Sequence, residues 1–338
     1  MNKKRVLAML LAGAMALSMT ACGGNSASTD GSSNDGGASA SGGSYKVSVI
    51  LKTLAAEYWQ YVKAGAEDDA SEHSDKVTVE VKGPSSETAF DEMQNMIETD
   101  LSSGTYDGIV ISPLQSDTAA QLVSGTKLPI VAIDTNFTAP EVKSFVGTGN
   151  EAAAKKGGEA AVEAAKAAGW TDIKCIEIAG VQGDQTNTAR MNGYKAGVEE
   201  AGGTFLSDEV QYADATADRA TTAMEAIMQT HPEGIAIICA NNDDMAMAAA
   251  RAAQGHDAYK NTIFLGFNGD RAACEAILAG QMTMSVAQMA YEMGYKAVET
   301  MVQVLDGETV DEFVDSGSDV VTPDNAQERL DTLKTQLH

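Results

Sequence analysis

Cationic residues are scarce in this sequence of 338 residues, which has 23 Lys and Arg against 48 Asp and Glu. The formal net charge of −25 would repel the phosphates of DNA and RNA, so a nucleic-acid-binding role is excluded. Aromatic residues make up only 5% of the chain, although the hydrophobic share as a whole is 44%. A chain of this length and composition predicts two lobes, each with its own core.

Cysteine and histidine are also rare, with four residues of each. Four cysteines in so long a chain do not form a disulfide framework, and no histidine has a cysteine or another histidine at the spacing of zinc ligands. Three cysteines lie in apolar or alanine-rich segments, which predicts buried thiols; these are Cys175, Cys239 and Cys274. We therefore expect no metal site, no cofactor and no catalytic residue.

The N-terminal segment has the features of a targeting signal. Lys3, Lys4 and Arg5 precede an apolar run over residues 6–19 that is too short to span a bilayer as a mature helix. The run ends in Met-Thr-Ala before Cys22, which resembles the lipobox of bacterial lipoproteins, although Leu is usual where Met stands. This resemblance implies a signal peptide over residues 1–22 and a lipid on Cys22. An ordinary secretory signal with a chance cysteine is the alternative.

The segment that follows is rich in small polar residues. Residues 23–44 include seven Gly and seven Ser and no aliphatic residue larger than Ala. Such a segment cannot bury a core, so we predict a flexible tether. The expected location is extracytoplasmic, with the protein held to the bacterial membrane by its lipid.

From Tyr45 onward, short strands alternate with helices, which predicts an α/β fold with parallel sheets and flanking helices. A β-branched strand over residues 47–51 is followed by a predicted helix over 58–73. The same cycle restarts after Asn150 and includes a predicted helix over 189–201. We therefore predict two successive lobes of the same architecture.

Polar side chains follow nearly every predicted strand. In open parallel sheets the ligand binds beyond the carboxyl ends of the strands, so these residues are candidates for a binding cleft. Carboxylate, amide and guanidinium groups suit a polyhydroxylated ligand, whose hydroxyls both donate and accept hydrogen bonds. The alternative is that such residues merely cap helices. With two adjacent aromatics and an early helical arginine, the candidates are Lys52, Tyr58, Trp59, Asp134, Arg190, Asn242, Asn268 and Gln288.

Several linked motifs resemble those of the ribose- and D-allose-type sugar-binding proteins, the soluble receptors of ABC importers with the type I periplasmic-binding-protein fold. The similarity extends in order over residues 45–304. The motifs are Leu51-Lys52-Thr53-Leu54 with Tyr58-Trp59, Ile111-Ser112-Pro113-Leu114, Ile133-Asp134, Thr188-Ala189-Arg190-Met191-Asn192-Gly193, residues 239–248, Gly266-Phe267-Asn268-Gly269, and Val286-Ala287-Gln288.

The resemblance implies that the eight candidate residues contact a sugar. Asp134 and Arg190 are similar to the carboxylate and guanidinium that hold ring oxygens in the family, and Tyr58 and Trp59 to the aromatic pair of its cleft. Among the candidate residues, Lys52 and Arg190 are cations and Asp134 is the only anion, so the set carries one excess positive charge. We therefore expect a neutral monosaccharide, polyol or nucleoside, with an anionic sugar as the expected exception.

Three positions depart from the family pattern. Ala56 and Glu57 replace the usual Asn-Pro, which removes one amide contact, and Asn268 stands where the family usually has Asp. The aromatic residue that the family places in the second lobe is either Tyr212 or replaced by Ala215.

The resemblance also implies how the lobes are divided. Residues 45–148 and about 289–316 would form the N-terminal lobe, and residues 149–288 and about 317–338 the C-terminal lobe. The chain would cross between them in a three-segment hinge that allows the lobes to close on the ligand. Crossings are expected near residues 147–150, at Gln288, and near residues 315–318.

The expected function is therefore that of a substrate-binding protein of an ABC importer, acting as a monomer with membrane permease subunits as partners. A sensor subunit for a chemoreceptor or histidine kinase would use the same cleft and is the main alternative. A dehydrogenase is disfavoured because the glycine-rich segment at residues 147–152 has no acidic strand end about 20 residues later.

The lipid anchor is testable by fractionation. Changing Cys22→Ala should release the protein from membranes, because the thiol that would carry the lipid is lost. A Cys274→Ala variant is the control and should remain with the membrane fraction. Membrane association of the Cys22→Ala protein would show that the anchor is elsewhere.

Overall fold

A computed structural model describes residues 44–337. The predicted signal peptide with Cys22, and all of the predicted tether except Ser44, lie outside the described residues. Between Ser44 and Leu337, no helix combines the length and the apolar character needed to cross a membrane.

The first sheet has six parallel strands in the order β12-β5-β4-β3-β1-β2. Its central strands are runs of Ile and Val that are buried along their whole length, as expected where helices cover both faces. The strands are β1 (Tyr45–Ile50), β2 (Val77–Lys82), β3 (Gly108–Ile111), β4 (Ile130–Ile133), β5 (Val142–Gly147) and β12 (Phe313–Asp315), and the helices between the first four are α1 (Glu57–Glu72), α2 (Phe90–Ser103) and α3 (Ser116–Val123).

The second sheet follows the order β13-β11-β10-β9-β6-β7, with β8 paired to β6. Its pairs are parallel except for the antiparallel pair of β11 and β13. The strands are β6 (Lys174–Ala179), β7 (Thr204–Phe205), β8 (Gln211–Tyr212), β9 (Ile237–Ala240), β10 (Ile263–Asn268), β11 (Met284–Gln288) and β13 (Ser318–Val321). The helices are α4 (Asn150–Ala167), α5 (Gln185–Glu200), α6 (Ala217–Thr230), α7 (Asp243–Ala253), α8 (Arg271–Leu278), α9 (Ala290–Leu305) and α10 (Ala326–Gln336).

The predicted architecture of two α/β lobes is confirmed. The chain leaves the first sheet after β5, returns to it after β11, and enters the second sheet again between β12 and β13. Helix α9 packs on α1 and on the first sheet, whereas α10 packs on α8 of the second lobe.

The predicted start of helix α5 is wrong by four residues. The helix begins at Gln185 rather than Ala189, because the Asp184 carboxylate accepts the backbone N–H of Asn187 at 2.7 Å and caps the helix. The three cysteines of residues 44–337 are free and buried, as predicted.

Helices α1 and α9 approach closely through two glycines. A Cβ added to Gly294 would lie 1.9 Å from the carbonyl oxygen of Val62, and one added to Gly65 would lie 1.9 Å from that of Tyr291. Because these are backbone atoms, the helices themselves would have to separate to admit a methyl group.

We expect Gly294→Ala to destabilise the protein by about 1–3 kcal/mol in urea denaturation, since overpacking outweighs the gain in helix propensity. The matched control is Gly149→Ala, where the nearest atom to the added Cβ lies at 3.8 Å. Equal stability of the two variants would show that the crossing tolerates separation.

Candidate functional site

A cavity of about 700 Å³ lies between the carboxyl ends of the two sheets, and we call it the cleft. The structure brings all eight predicted contacts to its lining. The first lobe contributes Lys52, Tyr58, Trp59 and Asp134, and the second contributes Arg190, Asn242, Asn268 and Gln288. That these side chains bind a ligand stays a prediction.

Asp134 is a fixed acceptor at the end of β4. Its backbone adopts φ 62°, a left-handed conformation that an aspartate tolerates better than most residues. The Tyr58 hydroxyl donates to Oδ1 at 2.9 Å, the Thr135 hydroxyl donates to Oδ2 at 2.9 Å, and Lys52 Nζ lies 3.7 Å from Oδ2. Burial, and then the Asp134 carboxylate, raise the pKa of Tyr58 well above its usual value, so the phenol remains a donor.

The two aromatic residues form one corner of the cleft. The rings of Tyr58 and Trp59 meet edge to face with centroids 5.0 Å apart. The indole Nε1 of Trp59 donates to Glu87 Oε1 at 2.7 Å. The corner therefore offers an apolar ring surface beside fixed polar groups, a combination that suits the C–H face and the hydroxyls of a sugar.

Arg190 is held on three sides. Its Nε donates to Asn150 Oδ1 at 2.8 Å, one Nη1 hydrogen goes to the Asn241 carbonyl at 2.8 Å, and the guanidinium lies 3.8 Å from the Phe267 ring centroid. Burial lowers its pKa, yet guanidinium remains charged in proteins. Nη2 has no hydrogen-bond acceptor within residues 44–337, which leaves donors for a bound molecule.

Asn268 and Gln288 form a linked pair. Gln288 Nε2 donates to Asn268 Oδ1 at 2.9 Å, and Asn268 Nδ2 lies 3.4 Å from Asp270 Oδ2. Asn268 has φ 132°, a conformation that L-residues rarely adopt, so the surrounding contacts must hold it.

Asn268 stands where the resembling family usually has an acidic acceptor, but Asp270 restores a carboxyl group two residues later in the same cleft. Burial raises the pKa of Asp270 well above its usual value, and the Asp243 carboxylate adds to this.

Asn242 caps a helix, as the alternative reading proposed. Its Oδ1 accepts the backbone N–H of Met245 at 2.9 Å, and its Nδ2 donates to the Ala215 carbonyl at 3.1 Å. Ala215 lines the cleft, whereas Tyr212 lies on β8 outside it and is 41% exposed. The second lobe therefore has alanine, not tyrosine, at this part of the wall.

The predicted charge balance of the cleft is wrong, because sequence reasoning missed five carboxyl groups. Glu57 and Glu87 lie in the first lobe, and Asp184, Asp244 and Asp270 in the second. The two lining cations are therefore outnumbered. Asp244 and Asp270 stand just after strands, which was the available signal, while Glu57 and Glu87 lie on loops and helix starts that periodicity does not place.

A buried glutamate lies within the electrostatic influence of Arg190. Glu177 on β6 is fully buried, and neither carboxylate oxygen has a hydrogen-bond donor within the described part of the chain. Burial raises the pKa of Glu177 to about 8, while the positive charge of Arg190 acts in the opposite direction.

Glu177 should therefore make stability depend on pH. Its folded pKa lies above the ordinary value of about 4.3, so its contribution is complete below that value and is lost as pH rises through about 8. Between these values the free energy of unfolding of the wild type should fall by roughly 1.4 kcal/mol per pH unit relative to Glu177→Gln.

Urea denaturation from about pH 5 to about pH 9 measures this difference. The exposed Glu225→Gln change is the control and should run parallel to the wild type. Parallel profiles for wild type and Glu177→Gln would contradict the prediction.

The chain is similar to periplasmic sugar-binding proteins over most of its length. The model of the family described as "Periplasmic binding protein domain" matches residues 47–309. The D-allose-binding periplasmic protein of Escherichia coli (strain K12) is 30% identical over 264 residues, which are 75% of this chain and 82% of that protein. The ribose import binding protein RbsB of Bacillus subtilis (strain 168) is 26% identical over 274 residues, 80% of this chain and 85% of that protein.

A solved structure shows the same fold. A carbohydrate transporter solute binding protein from Agrobacterium radiobacter, in complex with D-arabinose, aligns with a TM-score of 0.75. The alignment covers 88% of this chain and 100% of that chain at 24% identity.

Proposed function

The chain belongs to the periplasmic binding protein domain family, and on this premise we propose that it is an extracytoplasmic substrate-binding protein of an ABC importer. Its ligand is a neutral monosaccharide or a similar polyhydroxylated molecule, which it binds without converting. The observation that supports this most directly is the cleft, where Asp134 and Arg190 from opposite lobes present a fixed acceptor and free donors beside the Tyr58–Trp59 corner. The family membership confirms the resemblance that the motifs indicated.

The charges of the cleft narrow the ligand class. Apart from Asp270, whose raised pKa favours its neutral form, five carboxyl groups and two cations line it, so a sugar acid or sugar phosphate would meet net repulsion. An anionic sugar is therefore no longer the expected exception. Hydroxyl groups can donate to carboxylates and accept from Lys52 and Arg190, so a neutral sugar uses both kinds of group.

We further propose that a lipid on Cys22 and the tether over residues 23–44 hold the binding lobes near permease subunits in the membrane. The signal-like run and the Gly- and Ser-rich composition support this. We propose that the protein acts as a monomer.

A thermal-shift screen tests the ligand class. D-ribose, D-allose, D-arabinose and myo-inositol represent neutral polyhydroxylated ligands, and at least one such compound should raise Tm, since a ligand that binds only the native state stabilises it. Uronic acids, amino acids and peptides should not. Stabilisation by amino acids or peptides alone would contradict the proposal.

Lobe closure is testable by small-angle scattering with the stabilising sugar. The wild type should become more compact on binding, because the ligand gains its second set of contacts only when the lobes close. Arg190→Ala and Asp134→Ala should each weaken binding at least about tenfold, as expected for loss of a hydrogen bond to a charged group. Arg219→Ala, an exposed arginine of the same lobe as Arg190, is the control and should bind normally. An unchanged radius of gyration at saturating sugar would exclude closure.

A further inference from the structure

One ion pair joins the two lobes. Arg271 Nε lies 3.1 Å from Glu57 Oε1, and among residues 44–337 it is the only ion pair that connects an element of the first sheet's lobe with one of the second's. Glu57 is the first residue of α1, and Arg271 is the first residue of α8. The Tyr61 hydroxyl also donates to Glu57 Oε1 at 3.0 Å, so the carboxylate is held in place from its own lobe.

The position of Arg271 is unfavourable for its own helix. The N-terminal turn of a helix carries partial positive charge, which disfavours a cation there and favours an anion such as Glu57. Glu57 is the only acidic partner of Arg271 within the described residues. The stability of α8 therefore does not explain why a cation stands at its first position, whereas the ion pair with Glu57 of the other lobe does.

We propose that the Glu57–Arg271 pair is a latch that stabilises the closed arrangement of the lobes and so raises the affinity of the cleft. The inference rests on the proposed function, in which the lobes close around a sugar. Glu57 lines the cleft but Arg271 does not, so Arg271 is a positioning residue that acts through the lobe arrangement.

The size of the effect follows from exposure. The Arg271 side chain is 50% exposed and the Glu57 side chain 30%, so solvent and salt screen the pair. We expect a change of roughly twofold to fivefold in the ratio of closed to open protein, and an equal change in apparent affinity. A neutral sugar has no charge of its own, and screening of the cleft carboxylates by salt would favour closure, so weaker binding at high salt that is lost in Arg271→Gln would report the latch.

The first test needs no ligand. Ser124 and Lys260 are exposed residues that precede β4 and β10, so they lie toward the amino ends of the strands, opposite the cleft. Dyes attached to the Ser124→Cys and Lys260→Cys positions therefore report the lobe arrangement by energy transfer. Between about 20 mM and about 500 mM NaCl the wild-type signal should shift toward the open state. Arg271→Gln should start closer to that open signal, and salt should not shift it further toward the open state.

Charge exchange separates the latch from other effects. The double variant Glu57→Arg with Arg271→Glu should restore the wild-type signal and its salt response, whereas either exchange alone should open the lobes. Glu200→Gln, which breaks the 2.7 Å pair with Lys155 inside the second lobe, is the matched control and should change nothing. An Arg271→Gln protein with the wild-type signal and salt response, or a double exchange that does not restore them, would overturn the proposal.

The second test measures binding of D-ribose and D-allose by calorimetry at both salt concentrations. The wild type should lose roughly twofold to fivefold in affinity at high salt, whereas Arg271→Gln should bind more weakly at low salt and lose no further affinity at high salt. If neither sugar binds the wild type, the ligand assignment fails, while the energy-transfer result still decides the latch.

Discussion

The cleft depends on the buried guanidinium of Arg190. It joins three separate parts of the second lobe: the start of α4 through Asn150, the end of β9 through the Asn241 carbonyl, and β10 through the Phe267 ring. A cation can be buried in this way only when such partners compensate for lost water. The same contacts fix the donors that face the first lobe, so the structure that solvates the charge also builds half of the site.

Glu177 shows the limit of that compensation. The positive charge of Arg190 acts on its carboxyl, yet no donor of the described chain reaches it, and burial raises its pKa to about 8. Near neutral pH the Glu177 carboxyl is therefore largely protonated. It then forms no buried ion pair with Arg190, so the positive charge of the guanidinium is not neutralised from this side. The first lobe uses a different arrangement, in which Asp134 receives two hydroxyl donors and lies near Lys52.

The packing of the first lobe bears on the proposed closure. Helix α9 follows the crossing after β11 and packs on α1 at Gly65 and Gly294, so one segment of the proposed hinge leads directly into a closely packed pair of helices. Rotation at the proposed hinge would then leave the core of the first lobe packed. Glu57 begins α1, so the rigid helix pair also carries the first-lobe half of the latch.

The sequence by itself determined the architecture and most of the candidate site. Alternating strands and helices predict parallel sheets, and parallel strands end at one edge, so polar residues such as Lys52 and Asp134, which follow different strands of the same sheet, had to converge. Only the tertiary structure decided the contacts between residues that are distant in the sequence. It placed Ala215 rather than Tyr212 in the wall, left Glu177 without a donor, and set Glu57 beside Arg271. These contacts depend on the paths of the loops and on how the two lobes meet. The local periodicity of the sequence specifies strands and helices but neither of these features.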